Sequence, residues 1–151
     1  IVLDLQKRES FAAYRALLAQ EKPEIAVLVN AAGFGLFGVF TEMDMDKQLD
    51  IVDLNSRALT AMCHMSIPYM TAGSRIYNMG SMSSWQPVPY INVYGASKAY
   101  VLNFSRALGV ELTLSEEVPT AENAALAAGY VVADRLEKGE WVALALRNEA
   151  A

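Results

Sequence analysis

The sequence has few of the residues on which several classes of protein depend. Cys63 is its single cysteine, which excludes a disulfide framework and favours a reducing, cytoplasmic setting. The 12 basic residues are outnumbered by 17 acidic ones, for a formal net charge of −5, and they form no basic stripe of the kind that nucleic-acid binding requires. The single histidine, His64, follows Cys63 directly. Adjacent positions on a helix face different directions, so we expect no metal site there.

Long apolar segments are also missing. The longest candidate, residues 27–40, falls short of the roughly 18 residues that a membrane-spanning helix needs. It also contains Asn30 and is interrupted by three glycines. Residues 1–5 lack the basic start and the apolar core of a signal peptide. We therefore expect no membrane association. The chain begins with Ile rather than Met, so we expect further residues in front of it.

The sequence does have the composition of a folded globular domain. Hydrophobic residues make up 54% of the 151 positions, enough for one domain with a sizeable core. Short apolar runs alternate with segments in which apolar residues recur every three or four positions. This pattern predicts an α/β fold with a parallel sheet that is buried on both faces. We predict a single, incomplete domain over residues 1–151, with strands at 1–3, 26–29, 75–79 and 141–146 and helices at 7–21, 44–70, 92–112 and 120–138.

Tyr94 and Lys98 form the pattern with the clearest chemistry. Residues four apart on a helix share a face, so the two side chains can point into one site. A nearby ammonium favours the phenolate form of a tyrosine, which lets the tyrosine exchange protons near neutral pH. Lysine also carries three donors that suit the hydroxyls of a ribose. The alternative is a solvated pair on a helix surface, because Tyr-x-x-x-Lys is common by chance.

Three further polar segments fit the same site. Ser81 follows a predicted strand, at the end of the sheet where ligands bind, and a hydroxyl there can stabilise charge developing on a carbonyl oxygen; alternatively it starts a turn. The small residues of Asn30-Ala31-Ala32-Gly33 let a backbone approach a flat ligand, unless they form a simple turn. Asn55 lies inside a predicted helix, where a buried asparagine has a specific polar partner and an exposed one needs none.

Together these motifs resemble those of the short-chain dehydrogenase/reductase family. The resemblance covers residues 1–112 and, more loosely, 120–146. Asn30-Ala31-Ala32-Gly33 is similar to the family's Asn-Asn-Ala-Gly motif, with Ala at its second place. The step of 13 residues from Ser81 to Tyr94 also matches. The other matches are to the family's active-site asparagine, its catalytic serine, its Tyr-x-x-x-Lys and the acidic residue after its third strand: Asn55, Ser81, Tyr94 with Lys98, and Asp4-Leu5.

The resemblance implies a fold, a cofactor and a mechanism. The fold is a Rossmann-like, doubly wound parallel sheet. Tyr94 exchanges a proton with a small carbonyl or secondary-alcohol substrate, Lys98 assists Tyr94 and holds the ribose, and Ser81 polarises the carbonyl. Asn55 anchors a water that links Lys98 to solvent. The cofactor, which supplies the hydride chemistry, is NAD or NADP, bound by Asp4, Leu5, Asn30, Ala31, Ala32, Gly33, Tyr94 and Lys98.

Parts of the family pattern are not present in the chain. Its phosphate-binding Gly-x-x-x-Gly-x-Gly, its first two strands and the residue that selects NAD or NADP have no counterpart. A strand ending in Pro-Gly is missing after the Tyr/Lys helix, so we expect joined pieces of a longer protein with a break between Leu112 and Thr113. The glycines of residues 33–38 spell G-x-G-x-x-G, and Asp53 follows at the separation in sequence where a ribose-binding acidic residue would stand. We reject this as a dinucleotide fingerprint because the helical pattern starts only near Asp44.

Three interpretations of function stay open. The chain is an active carbonyl reductase or alcohol dehydrogenase, a cofactor-binding regulator without turnover, or a truncated, inactive member of the family. The complete set of Ser81, Tyr94 and Lys98 favours the first. The resemblance implies a homodimer or homotetramer that pairs through the helices at 44–70 and 92–112. The loop after the third strand favours an apolar, bulky substrate, because it carries Met82, Trp85, Val88 and Tyr90.

Overall fold

Two compact units, Ile1–Asn103 and Phe104–Ala151, make up the chain. A computed structural model describes the backbone at residues 1–127, 130–138 and 141–148 and the side chains at residues 1–112. The first unit contains, in chain order, α1 (Arg8–Glu21), β1 (Val27–Asn30), α2 (Met45–Val52), a π-helical turn (Asp53–Ala58), α3 (Leu59–Ser66), a 3₁₀ turn (Ile67–Tyr69), β2 (Arg75–Asn78), a 3₁₀ turn (Met82–Ser84) and the beginning of α4 (Asn92–Ala127).

Strands β1 and β2 form a parallel pair. Their register joins Val27 to Arg75 at one end and Asn30 to Asn78 at the other. The predicted strands at 26–29 and 75–79 are therefore confirmed to within one residue, and so is the parallel sheet. Because the strands are parallel, the loops that follow Asn30 and Asn78 leave from the same edge of the sheet.

Local signals in the sequence explain where the helices begin and end. Helix α1 ends at Lys22, which has a φ of +42° and precedes Pro23. The Asp44 carboxylate caps α2 by accepting a hydrogen bond from the Lys47 backbone N–H at 3.0 Å. The long helix predicted at 44–70 is present, although a π-helical turn interrupts it. Buried apolar side chains from these elements form the core: Leu18, Leu28, Ile51, Leu59, Cys63 and Val101.

Two predictions about the strands of the first unit were wrong. Residues 1–3 are not a strand; Ile1 and Val2 are exposed, and no described strand pairs with them. A strand needs a partner strand for its backbone hydrogen bonds, and the apolar pattern of one segment does not indicate whether such a partner is present. Nor is the sheet buried on both faces. Leu28 is buried, but Val27 and Val29 on the other face of β1 are 53% and 57% exposed.

The second unit differs more from the prediction. Strands β3 (Tyr130–Lys138) and β4 (Trp141–Asn148) pair antiparallel. The strand predicted at 141–146 is confirmed, but the helix predicted at 120–138 is wrong beyond Ala127, because residues 130–132, Tyr-Val-Val, favour a strand when a partner is available. Helix α4 runs without interruption through Leu112 and Thr113. None of the helices that the structure describes is both long and apolar enough to cross a membrane.

Candidate active site

A cavity of about 450 Å³ opens at the edge of the sheet where β1 and β2 end. The loop after β1 contributes one wall, the residues directly after β2 another, and the first turns of α4 a third. Polar chemistry in the cavity comes from α4, because the loops contribute mainly glycine and apolar residues. The lining includes Gly33, Gly35, Phe37, Met79, Tyr94 and Lys98.

Tyr94 and Lys98 lie together in this cavity, as their spacing predicts. Lys98 is only 7% exposed, and its ammonium donates a hydrogen bond of 2.7 Å to the Met79 carbonyl oxygen. The same ammonium lies 5.8 Å from the centre of the Tyr94 ring. A buried ammonium without a partner is strongly unfavourable, so the Met79 carbonyl fixes its position. The alternative of a solvated surface pair is wrong for Lys98.

Asn55 lies in the π-helical turn and is 1% exposed. Its carboxamide accepts a hydrogen bond from the Phe34 N–H at 3.1 Å and donates one to the Phe34 carbonyl at 2.9 Å. It donates another to the Ser97 hydroxyl at 3.0 Å. The expectation that a buried asparagine has specific partners is confirmed. Asn55 thereby connects the loop after β1 to α4.

Two glycines let that loop pack closely on the site. A Cβ atom at Gly33 would lie 2.8 Å from the Asn55 Oδ1 and 3.6 Å from the Lys98 Nζ. A Cβ atom at Gly35 would lie 2.7 Å from the Tyr94 Cδ2. Residues 33–38 form a loop, and helix α2 begins only at Met45, as expected when the G-x-G-x-x-G was rejected as a dinucleotide fingerprint. These glycines instead allow the backbone to approach Asn55 and Tyr94.

Ser81 begins a 3₁₀ turn directly after β2. Its hydroxyl oxygen accepts a hydrogen bond of 3.2 Å from the Ser83 N–H and one of 3.0 Å from the Ser83 hydroxyl. The Ser84 hydroxyl accepts from the Ser81 N–H at 3.2 Å. The cavity is lined by Gly80, one residue before Ser81. With two hydrogen bonds accepted, the Ser81 hydroxyl keeps its own hydrogen for donation.

Asn30 has a different place from Gly33 in the same motif. Its side-chain amide donates to the Asn78 Oδ1 at 2.8 Å and to the Cys63 sulfur at 3.3 Å, so it joins the ends of the two strands to α3. Burial raises the pKa of the Cys63 thiol. Ala31 and Ala32 are exposed beside Gly33. Within the described residues, no group of three or more His, Cys, Asp or Glu side chains could hold a metal.

Asp4 and Leu5 lie in the turn that leads into α1. The Asp4 carbonyl accepts a hydrogen bond of 2.6 Å from the Ser10 hydroxyl, and its carboxylate accepts one of 3.1 Å from the Gln6 N–H. Asp4 is exposed, Leu5 is half-buried, and neither lines the cavity around Tyr94. The structure therefore brings Gly33, Tyr94, Lys98 and Asn55 together but places Asp4 and Leu5 outside this group.

An aromatic pair connects the two loops beside the cavity. The rings of Phe37 and Tyr90 lie 5.6 Å apart, and the Gly38 N–H donates to the Tyr90 carbonyl at 2.8 Å. Tyr90 has a φ of +68°, which is unfavourable for a tyrosine and is maintained by these contacts. Phe37 is 77% exposed although it lines the cavity, so an aromatic surface stands at the cavity mouth.

The sequence analysis missed Gly35, Phe37, Ser83 and Ser97 as site residues. Ser97 carried a detectable signal, because a serine three residues after a helical carbonyl can hydrogen-bond to it, and Ser97 follows Tyr94 by three. Ser83 also had a local signal, since it follows an N-cap serine. The contacts of Gly35 and Phe37 join distant segments, and no local pattern indicates them.

The parallel strands, the loops at their carboxyl ends and the Tyr94–Lys98 cavity define an α/β protein of the Rossmann type. A family profile described as enoyl-(acyl carrier protein) reductase matches residues 1–116. The chain therefore belongs to the short-chain dehydrogenase/reductase family of oxidoreductases, and the expected fold class is confirmed.

The names of the curated relatives differ in what they say about activity. One name makes no statement on activity, and another calls the protein inactive. Hydroxysteroid dehydrogenase-like protein 1 of Gallus gallus is 38% identical over 118 residues, which are 74% of this chain and 34% of the relative. The Homo sapiens counterpart, named inactive hydroxysteroid dehydrogenase-like protein 1, is 34% identical over 116 residues, with the same coverage of 74% and 34%. The chain thus spans about a third of the length of these relatives.

Solved structures share the fold. The bulky-bulky ketone specific alcohol dehydrogenase from Comamonas testosteroni is 31% identical with a TM-score of 0.65, over 74% of this chain and 45% of that one. A short-chain dehydrogenase from Sphingobium yanoikuyae in complex with NADPH is 31% identical with a TM-score of 0.64, over 73% and 44%. Each likeness covers most of this chain and less than half of the other protein.

Proposed function

We propose that the protein is an NAD(P)-dependent oxidoreductase that interconverts a carbonyl group and a secondary alcohol, with Tyr94 as general acid and base. The observation that carries the proposal is the placement of Tyr94 and buried Lys98 in one cavity at the carboxyl end of the sheet. A tyrosine placed beside an ammonium can act as a general acid and base.

Each polar residue has a separate task in this proposal. Tyr94 donates its phenolic proton to the oxygen of the reduced carbonyl, or accepts the hydroxyl proton of an alcohol in the reverse direction. Lys98 stabilises the phenolate. Ser81 donates its hydroxyl hydrogen to the carbonyl oxygen, since both hydrogen bonds from Ser83 leave that hydrogen available. Asn55 anchors a water that connects Lys98 to solvent.

The site fits the nicotinamide and ribose portion of the cofactor. Ala31, Ala32 and Gly33 are exposed at the end of β1, and Gly33 and Lys98 both line the cavity. Lys98 would hold ribose hydroxyls there, and Tyr94 would lie beside them. When bound, the cofactor supplies or takes up the hydride. We assign Asp4, Leu5 and Asn30 to the same binding region by family resemblance, and the NADPH complex of the Sphingobium yanoikuyae relative supports this cofactor class.

Replacement of Tyr94 with phenylalanine tests the proposal. The variant keeps the ring and its packing but lacks the proton that the reaction needs, so we expect turnover to fall by roughly two to four orders of magnitude with cofactor binding retained. NADH and NADPH oxidation are to be followed with a panel of ketones, and cofactor binding by fluorescence titration. Turnover of Tyr94→Phe at the wild-type rate would contradict the proposal.

A cofactor-binding regulator without turnover is the second candidate. The name of the Homo sapiens relative favours it. A truncated, inactive family member is the third interpretation that the sequence left open. The same panel separates the candidates, because a regulator binds NAD(P)H but oxidises none of it with any ketone.

The substrate we propose is an apolar and bulky ketone or the corresponding alcohol. Exposed Phe37, Met82, Trp85 and Tyr90 lie in the two loops that leave the sheet edge. The relative from Comamonas testosteroni acts on bulky-bulky ketones, which agrees with this choice. A cytoplasmic homodimer or homotetramer, formed through α2, α3 and α4, completes the proposal. Free, buried Cys63 is consistent with a reducing compartment.

A further inference from the structure

Ser97 lies between the two catalytic candidates of α4 but faces away from their cavity. It is 4% exposed and does not line the cavity. Its hydroxyl donates a hydrogen bond of 2.7 Å to the Tyr94 carbonyl and accepts one of 3.0 Å from the Asn55 Nδ2. Ser97 therefore connects α4 to the asparagine that holds the loop after β1.

The direction of every hydrogen bond in this group is determined by its partners. The Phe34 N–H can only donate, so the Asn55 Oδ1 must face it at 3.1 Å. The Phe34 carbonyl can only accept, so it takes one Nδ2 hydrogen at 2.9 Å. The second Nδ2 hydrogen then points at the Ser97 oxygen. The Tyr94 carbonyl can only accept, so the Ser97 hydrogen points at Tyr94. No hydrogen in the group has an alternative place.

We propose that Ser97 is a positioning residue, which fixes the orientation of the Asn55 carboxamide. The carboxamide in turn holds the loop that contains Gly33 and Gly35 against Lys98 and Tyr94. Both glycines approach the site residues closely and have no side chain that could hold the loop there, so the loop depends on its hydrogen bonds to Asn55. This inference rests on the proposed function, since it concerns the geometry of the same site.

Removal of the Ser97 hydroxyl should loosen the loop without disturbing the helix. Alanine is the best helix former, so Ser97→Ala keeps the backbone of α4. It leaves one buried Asn55 N–H without a partner, and the carboxamide is then held only by its two hydrogen bonds to Phe34. The loop can then retreat from Lys98 and Tyr94, which leaves the two side chains less precisely placed.

Two measurements on Ser97→Ala test the proposal. We expect kcat to fall roughly tenfold to a hundredfold, the size of effect that a displacement of about 1 Å produces. Amide hydrogen exchange, followed by NMR in the protein without cofactor, should show faster exchange of the Phe34 N–H.

Ser66→Ala is the matched control. Ser66 is also fully buried and its hydroxyl makes one hydrogen bond, at 2.9 Å to the Tyr14 hydroxyl, away from the site. It should lower the melting temperature like Ser97→Ala while leaving kcat and the exchange of the Phe34 N–H unchanged. The same changes in both variants would mean that Ser97 matters only for stability, and the proposal would be wrong.

The exchange experiment also separates this proposal from the proposed function. If the wild-type protein oxidises no cofactor, the proposed function falls, and exchange of Phe34 in Ser97→Ala alone decides about Ser97. If Ser97→Ala does not fold, the wild-type protein gives the answer: the Asn55 side-chain hydrogens must exchange slowly with solvent deuterium. Rapid exchange of those hydrogens would overturn the proposal.

Discussion

Replacement of Gly35 with alanine should displace the Tyr94 ring. The added Cβ would lie 2.7 Å from the Tyr94 Cδ2, 2.9 Å from its Cγ and 3.2 Å from its Cβ. Carbon atoms in contact prefer about 3.5–4.0 Å, so about 0.8 Å of separation must open. Two hydrogen bonds to Asn55 hold the neighbouring Phe34 in place. The movement therefore falls mainly on Tyr94, the proposed general acid and base.

The expected magnitude follows from that displacement. A shift approaching 1 Å at the reacting group corresponds to roughly a hundredfold loss of kcat. Overpacking at one site destabilises a protein by about 1–3 kcal/mol, so the variant should fold with a lower melting temperature. The assay is steady-state NADPH oxidation with a ketone that the wild-type protein reduces, together with a thermal melt.

Gly95→Ala provides the control. Gly95 directly follows Tyr94 in α4, but a Cβ there would lie 3.7 Å from the Ser83 carbonyl oxygen, an ordinary contact. Alanine also favours a helix over glycine by about 1 kcal/mol. We expect Gly95→Ala to keep its activity and its stability. A wild-type kcat for Gly35→Ala would refute the argument that the loop determines the position of Tyr94.

Two further predictions concern the cavity mouth and the buried thiol. Phe37→Ala should raise KM for an aromatic ketone about three- to tenfold, the worth of one aromatic contact, but leave KM for acetone unchanged; equal changes for both ketones would contradict a role in substrate selection. Because burial raises the pKa of Cys63, its thiolate fraction in the folded protein stays low at a pH where the unfolded chain is already ionised. Iodoacetamide should therefore alkylate native protein much more slowly than protein in urea, and its rate should still rise with pH where the rate in urea has levelled; similar rates in both would contradict the burial of Cys63.

The sequence predicted the parts of the site that depend on local periodicity. Tyr94 and Lys98 are four residues apart on a helix, and this spacing alone places both in one cavity. Asn55 was identified because an asparagine is unusual inside a helix, and its burial and its partners agree with that argument. The parallel pairing of β1 and β2 followed from the alternation of strands and helices.

The rest depends on contacts between distant segments, which periodicity does not contain. Residues 1–3 have an apolar strand pattern, yet they lack a described partner strand. Residues 130–138 fit a helical pattern equally well, but pairing with β4 makes them a strand. Ser97 and Gly35 gain their importance from Asn55 and Tyr94, each on a different segment. A residue pattern describes one segment at a time and therefore cannot indicate such pairs.

The π-helical turn at Asp53–Ala58 explains how a single helical segment keeps one buried face over three turns. Ile51, Asn55, Leu59 and Cys63 are all buried, each four residues after the one before. In a regular α-helix, four residues overshoot one turn by about 40°, so this row would drift by about 120° over its length. One π-turn acts as an inserted residue and takes back about 100°. Asn55 and Cys63 can therefore face the same sheet edge. The number of residues in this segment, and not only the identity of its side chains, determines which groups reach the site.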